Sequence, residues 1–177
     1  MLQLEDLQFG PFLSSKEINE AIEKVAVQVN RDLAGKKPVF LGVLNGAYLF
    51  TAELTKRFQG NCEVEFIKLK SYNGTKSTGN VQELIGVKNL EGKTVVVVED
   101  IVDTGNTISE IIKILQAEKV ASYKIASLFY KPEAYQKEHT IDYIGLEIPD
   151  KFIVGFGLDY NGLGRNLPEI YQLKEAK

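Results

Sequence analysis

The chain has 177 residues, 44% of them hydrophobic, enough for one well-buried domain and too few for two comfortable ones. Its 24 acidic and 21 basic residues leave a formal net charge of -3, so the overall balance attracts neither a nucleic-acid backbone nor an anionic membrane. Cys62 and His139 are the single cysteine and the single histidine, which excludes an intrachain disulfide, a cysteine-rich zinc centre and a multi-histidine metal site, and leaves oxygen ligands for any metal.

Ile18, Ala21, Ile22, Val25, Val29 and Leu33 recur at helical spacing and stop before Gly35 and Pro38, predicting an amphipathic helix whose apolar face is core. Residues 39–44 form a short apolar run into Asn45-Gly46, and residues 48–58 carry a helical pattern, so strand, tight turn and helix are expected in that order. Cys62, Val64 and Phe66 alternate with Glu63 and Glu65, as in a half-exposed strand. Residues 71–80, SYNGTKSTGN, bring almost no apolar surface and predict a mobile loop. The aliphatic run 95–98 reads as a buried strand, far below membrane-spanning length, and residues 107–119 follow with Ile108, Ile111, Ile112 and Leu115 on one helical face. Further strands are expected over 125–130, 141–146 and 152–158. Strands alternating with helices imply an α/β domain over 1–177, built on a largely parallel central sheet flanked by helices. With one cysteine and no basic residue in the first ten positions, a reducing cytoplasm is the expected compartment.

The chemistry concentrates in residues 95–107, VVVVEDIVDTGNT. A buried strand runs directly into Glu99, Asp100 and Asp103 and then into a helix start. In open α/β sheets ligands bind beyond the carboxyl ends of the strands, and a helix start offers unpaired N–H groups to an anion. Thr104, Gly105 and Thr107 suit a phosphate, with two hydroxyl donors and a residue that lets the anion approach the backbone. Acids at one end and a phosphate nest at the other can hold a sugar phosphate between them. A lone Asp would more often serve a helix N-terminus, with Thr107 as the cap, but three acids, two threonines and a glycine in nine residues favour a ligand. Two lookalikes fall on spacing. Gly92-Lys93-Thr94 precedes its strand and lacks the P-loop glycine, and Gly155-Phe156-Gly157 lacks the third glycine of a dinucleotide fingerprint, so both read as turn or packing glycines.

The segment Glu-Asp-Ile-Val-Asp-Thr-Gly at 99–105 resembles the phosphoribosyl-pyrophosphate loop of the type I phosphoribosyltransferases, in its hypoxanthine-guanine form. Leu44-Asn45-Gly46, Lys70-Ser71-Tyr72 with Ser77-Thr78-Gly79, Ser127-Leu128 with Lys131, and EIPDKFIVGFGLDY at 147–160 with Arg165 follow that family in order. The resemblance implies the type I fold with a small hood formed by the terminal segments, and transfer of phosphoribosyl to hypoxanthine or guanine. It implies that Glu99 and Asp100 engage the ribose hydroxyls and a first Mg²⁺, and that Asp159 serves a second Mg²⁺. Thr104, Gly105, Asn106 and Thr107 would bind the 5-phosphate; Leu44, Asn45 and Gly46, with a cis peptide between Leu44 and Asn45, and Arg165 would bind pyrophosphate. Asp103 would be general acid and base at purine N7, Lys131 would donate to the exocyclic oxygen, Phe152 would stack on the ring, and the Ile153 backbone would read its edge. For Phe152, core packing and stacking weigh about equally. Ser71 and Tyr72 would close a lid over the pyrophosphate. Asn45 and Asn106 stand where some relatives have lysine, which leaves fewer cations near the phosphates. The expected partners are the purine base and phosphoribosyl pyrophosphate, with no nucleic acid or membrane, and a homodimer or homotetramer. A signalling receiver domain also places acids at a strand end, but its acidic pair belongs near the N-terminus. A non-catalytic RNA-binding relative finds little support in the acidic balance.

Overall fold

The computed structural model describes residues 1–70 and 82–174, with the backbone alone at 70, 82 and 83. In chain order the elements are β1 (Leu2–Leu4), β2 (Leu7–Leu13), α1 (Ser15–Asp32), β3 (Val39–Val43), α2 (Tyr48–Arg57), β4 (Glu63–Lys70), β5 (Gln82–Ile85), β6 (Thr94–Val102), α3 (Asn106–Ala117), β7 (Ser122–Tyr130), β8 (Tyr143–Glu147), β9 (Ile153–Val154) and β10 (Ile170–Leu173). The main sheet has the order β5-β4-β3-β6-β7-β8, parallel throughout except for the antiparallel β5 at its edge. Because the chain winds from β3 outward through β4 to β5 and then returns to place β6 on the other side of β3, the winding direction reverses between β3 and β6. A crevice opens at such a reversal, beyond the strands' carboxyl ends.

Alternation along β6 explains the two-sided core. Val96 and Val98 join Phe40, Ala126 and Leu128 beneath α1, whose Ile18, Ile22, Val25 and Val29 are buried, as their spacing predicts. Val95 and Val97 join Val39, Leu41 and Ile125 on the opposite face, covered by Ile108, Ile111, Ile112 and Leu115 of α3. Helix α1 starts with a reciprocal cap, in which the Glu17 N–H donates to Ser14 Oγ at 3.3 Å and the Ser14 N–H donates to Glu17 Oε2 at 2.9 Å.

A second, antiparallel sheet of order β1-β2-β10-β9 makes the hood from the two ends of the chain. Two expectations need correction. The strand predicted over 152–158 is only Ile153–Val154, because Gly155, Phe156 and Gly157 all adopt positive φ and turn the chain back through a Gly155–Leu158 bridge. In β4 the predicted alternation fails at Val64, which is 43% exposed while Ile67 is fully buried, since β5 pairs only with Lys68, Leu69 and Lys70 and leaves the earlier part of the strand at the sheet edge. The predicted loop 71–80 lies outside the described residues. Among the described residues no helix is long and apolar enough to cross a membrane.

Candidate active site

Three strand ends deliver the site. At the end of β3 the Leu44–Asn45 peptide is cis, as the resemblance implies. The Leu44 N–H donates to Ile67 O at 2.8 Å and the Ala47 N–H to Val43 O at 3.0 Å, which ties this turn to β4 and to the start of α2. Gly46 is required by its neighbour: a Cβ there would lie 1.6 Å from Asp100 Oδ2. Gly157 from the hood presses on the same turn, where a Cβ would lie 2.0 Å from the Gly46 carbonyl oxygen. The hood glycines are thus turn and close-approach residues, in line with the sequence reading.

Strand β6 runs past the valines and carries Glu99 and Asp100 into the crevice, both buried. Loss of water pushes the Glu99 carboxyl well above the usual carboxylate range, and the charge of Asp100 adds to the effect. Asp100 is raised by burial too, against the opposing pull of its hydrogen bonds and of the Arg165 charge. Asp100 Oδ1 accepts from the Ile101 N–H at 2.9 Å, while Glu99 Oε2 is buried with no hydrogen-bond partner. An orphaned buried oxygen is costly unless something outside the polypeptide completes it.

Asp103, Thr104 and Gly105 then turn into α3. Gly105, at φ 84°, is the N-cap, and no side chain caps the helix. The alternative in which Thr107 merely caps the helix is not what the chain does, and the first-turn N–H groups, which have no intrahelical acceptors, point to the loop. Leu44, Asn45, Gly46, Glu99, Asp100, Asn106, Thr107 and Arg165 line one cavity of about 390 Å³ together with Val43, Leu69 and Glu110. A neighbouring recess of about 280 Å³ follows the loop from Glu99 to Ile108, including Asp103, Thr104 and Gly105. The sequence reading missed Glu110, although its place one turn beyond Asn106 and Thr107 puts it on the same helical face.

On the base side, Lys131 is buried at the end of β7, and its ammonium donates to Asp103 Oδ2 and Asp150 Oδ1, both at 2.9 Å. Burial works against its charge, but the hydrogen bonds to Asp103 and Asp150 prevail and hold it above the ordinary lysine value. Phe152 is 45% exposed, with its ring 6.1 Å from Phe9 and edge-on to Tyr160 at 6.1 Å, so it is not an ordinary core residue. Ile153 beside it is buried and pairs with Gln172 of β10. Asp159 and Arg165 are brought together, Arg165 Nη2 to Asp159 Oδ1 at 2.7 Å, while Arg165 Nη1 donates to Gly157 O at 2.7 Å. Ser71 and Tyr72 lie outside the described residues.

A doubly wound sheet with paired acids at one strand end and an uncapped helix start beside them is the arrangement of an α/β protein whose crevice suits a sugar phosphate. Residues 12–161 match the phosphoribosyl transferase domain. The chain is 41% identical over 166 residues to the hypoxanthine-guanine phosphoribosyltransferase of Streptococcus pneumoniae and 38% identical over 164 residues to that of Staphylococcus aureus, in each case over 92% of both chains. A crystal structure of the Staphylococcus aureus hypoxanthine phosphoribosyltransferase superposes with a TM-score of 0.87 at 38% identity, covering 96% of this chain and 92% of that one. The Trypanosoma cruzi hypoxanthine phosphoribosyltransferase in a ternary substrates complex gives 0.86 at 32% identity over 97% of each chain. The chain belongs to the phosphoribosyltransferase family, in its hypoxanthine-guanine branch.

Proposed function

We propose that this protein transfers the phosphoribosyl group of 5-phosphoribosyl 1-pyrophosphate to N9 of hypoxanthine or guanine, releasing pyrophosphate and the 6-oxopurine nucleotide. The observation that carries the proposal is the crevice between β3 and β6. There the cis turn at Leu44–Asn45, the buried Glu99–Asp100 pair and the uncapped start of α3 line connected recesses.

Each group has a task suited to its chemistry. Thr104, Gly105, Asn106 and Thr107 receive the 5-phosphate at the positive end of α3. Glu99 and Asp100 accept hydrogen bonds from the ribose hydroxyls, which satisfies the orphaned Glu99 Oε2. Leu44, Asn45, Gly46 and Arg165 hold the pyrophosphate, and Arg165 turns from Asp159 to reach it. Asp103 holds or takes the proton at N7 as the glycosidic bond forms, a step worth about 10²–10⁴ in rate. Lys131 donates to the exocyclic oxygen and meets an amino donor at that position in adenine, which disfavours that base. Phe152 stacks on the ring and the Ile153 backbone faces its edge. Ser71 and Tyr72 are assigned to a lid that keeps water from C1.

Magnesium fits this donor set. Its preference for oxygen suits these carboxylates: Glu99 and Asp100 would hold a first ion and Asp159 a second, although among the described residues no group of three or more His, Cys, Asp or Glu is gathered for a metal. When bound, it supplies charge to offset the departing pyrophosphate. A homodimer or homotetramer acting in the cytoplasm completes the proposal.

The test is purified protein with the activated ribose donor, Mg²⁺ and each purine in turn. Nucleotide from hypoxanthine or guanine, little from adenine, and loss of turnover on chelation are expected. No nucleotide from either oxopurine overturns the proposal, and turnover indifferent to EDTA removes the metal from it.

A further inference from the structure

Three adjacent parallel strands end side by side, and their pairing continues past them: the Lys131 N–H donates to Val102 O at 3.0 Å, and the Ile148 N–H donates to Tyr130 O at 2.9 Å. That register sets Asp103 after β6, Lys131 after β7 and Asp150 after β8 around one ammonium. The Lys131 side chain is 8% exposed, whereas Asp150 is 58% exposed. Asp103 is the obvious counter-ion, but in the proposed reaction its carboxylate gains and loses a proton, so its charge is not constant. A desolvated ammonium whose only partner becomes neutral is strongly disfavoured. Asp150, on the other side of the ammonium, takes no part in the proposed proton transfer.

We propose that Asp150 is a positioning residue for base recognition: it holds the Lys131 ammonium in place while Asp103 exchanges its proton, leaving the third N–H of Lys131 for the exocyclic oxygen of the base. The inference rests on the phosphoribosyl-transfer reading. The local backbone supports it, because the Lys151 N–H donates to Pro149 O at 2.8 Å and closes a tight turn with Asp150 at its apex. Phe152, the proposed stacking ring, lies two residues on, so one short segment between β8 and β9 supplies both the anchor for the oxygen-reading cation and the platform for the ring. An exposed ion pair would be worth little, and it is the burial of the lysine end that gives Asp150 its influence.

The experiment compares wild type, Asp150→Asn, Asp150→Glu and Lys131→Met, with Asp150→Asn also made in the Lys131→Met background. Absence of nucleotide from the wild type defeats the phosphoribosyl-transfer reading and this inference with it. With an active wild type, Asp150→Asn, which keeps an acceptor oxygen but loses the charge, raises KM for hypoxanthine roughly 10-fold, the low end for a hydrogen bond between charged groups, and leaves KM for the ribose donor unchanged. Asp150→Glu recovers most of the loss, and Asp150→Asn adds nothing once Lys131 is methionine. An unchanged KM for hypoxanthine, base and donor KM rising together, or full additivity of the two substitutions overturns the role assigned to Asp150. The exposed position of Asp150 lets the Asp150 variants fold, and melting temperatures are measured for these and for the variants at the buried Lys131.

Discussion

Replacing Gly46 with alanine tests whether the turn after β3 and the acids after β6 form one device. The added Cβ would sit 1.6 Å from Asp100 Oδ2, and protein Cβ atoms essentially never come closer than 3.0 Å, so a separation of at least 1.4 Å (3.0 minus 1.6) must open. The turn cannot easily retreat, because Gly157 already packs against the Gly46 carbonyl and is held there by mutual hydrogen bonds with Arg165. The Asp100 carboxylate therefore yields, losing its 2.9 Å bond from the Ile101 N–H. Forcing a methyl into a packed site costs about 1–3 kcal/mol, so the protein still folds. Misplacing a catalytic group by about 1 Å can lower the rate about 10²-fold, or ~2.7 kcal/mol at the barrier. Steady-state kinetics with the ribose donor, alongside thermal unfolding, reads both quantities. A Gly46→Ala protein with wild-type kcat/KM would refute the reasoning, as would one whose crystal structure leaves Asp100 in place.

Asp103→Asn keeps the shape of the side chain but cannot exchange the N7 proton. Its kcat is expected to fall about 10²–10⁴-fold with donor KM unchanged, and wild-type turnover would end its assignment as acid and base. Phe152→Ala removes a ring that is 45% exposed, so the melting temperature should hardly move, while KM for the base rises roughly tenfold if stacking is the ring's task. The Glu99 carboxyl is raised by burial and by Asp100, so the folded state binds its proton more tightly than the unfolded chain does. Below the unfolded carboxylate value that group carries no penalty, and stability is lost as pH rises from there through the folded value. Glu99→Gln should therefore match the wild type in urea unfolding near pH 4 and exceed it progressively toward pH 8, while losing activity. A gain that shrinks with rising pH would contradict the sign.

Local pattern carried α1, β6 and α3, because their apolar spacing marks the residues that must leave water, and every residue it names is buried, with Ala26 and Val102 in addition. The acidic loop was legible for a similar reason: carboxylates directly after a buried strand have few structural uses. Strands β1, β2 and β10 carry no such pattern. Gln3, Gln8, Gly10 and Pro11 interrupt them, and they exist as a sheet because Leu2 and Leu173 both align with Phe9 from opposite ends of the chain. The exposure of Val64 likewise depends on where pairing with β5 along β4 begins.

Which side chains meet within the site was beyond local reading. The resemblance pointed Lys131 at the base and Arg165 and Asp159 at pyrophosphate and metal, yet here these charges are joined in ion pairs, and Asp150 had no assigned part. Lys131 meets Asp103 across 28 residues and Asp150 across 19. Propensity and periodicity act over a few residues, and so could place strand ends and a helix start. The order and register of β6, β7 and β8, set by burying both faces of one sheet, brought these three charges to a single point.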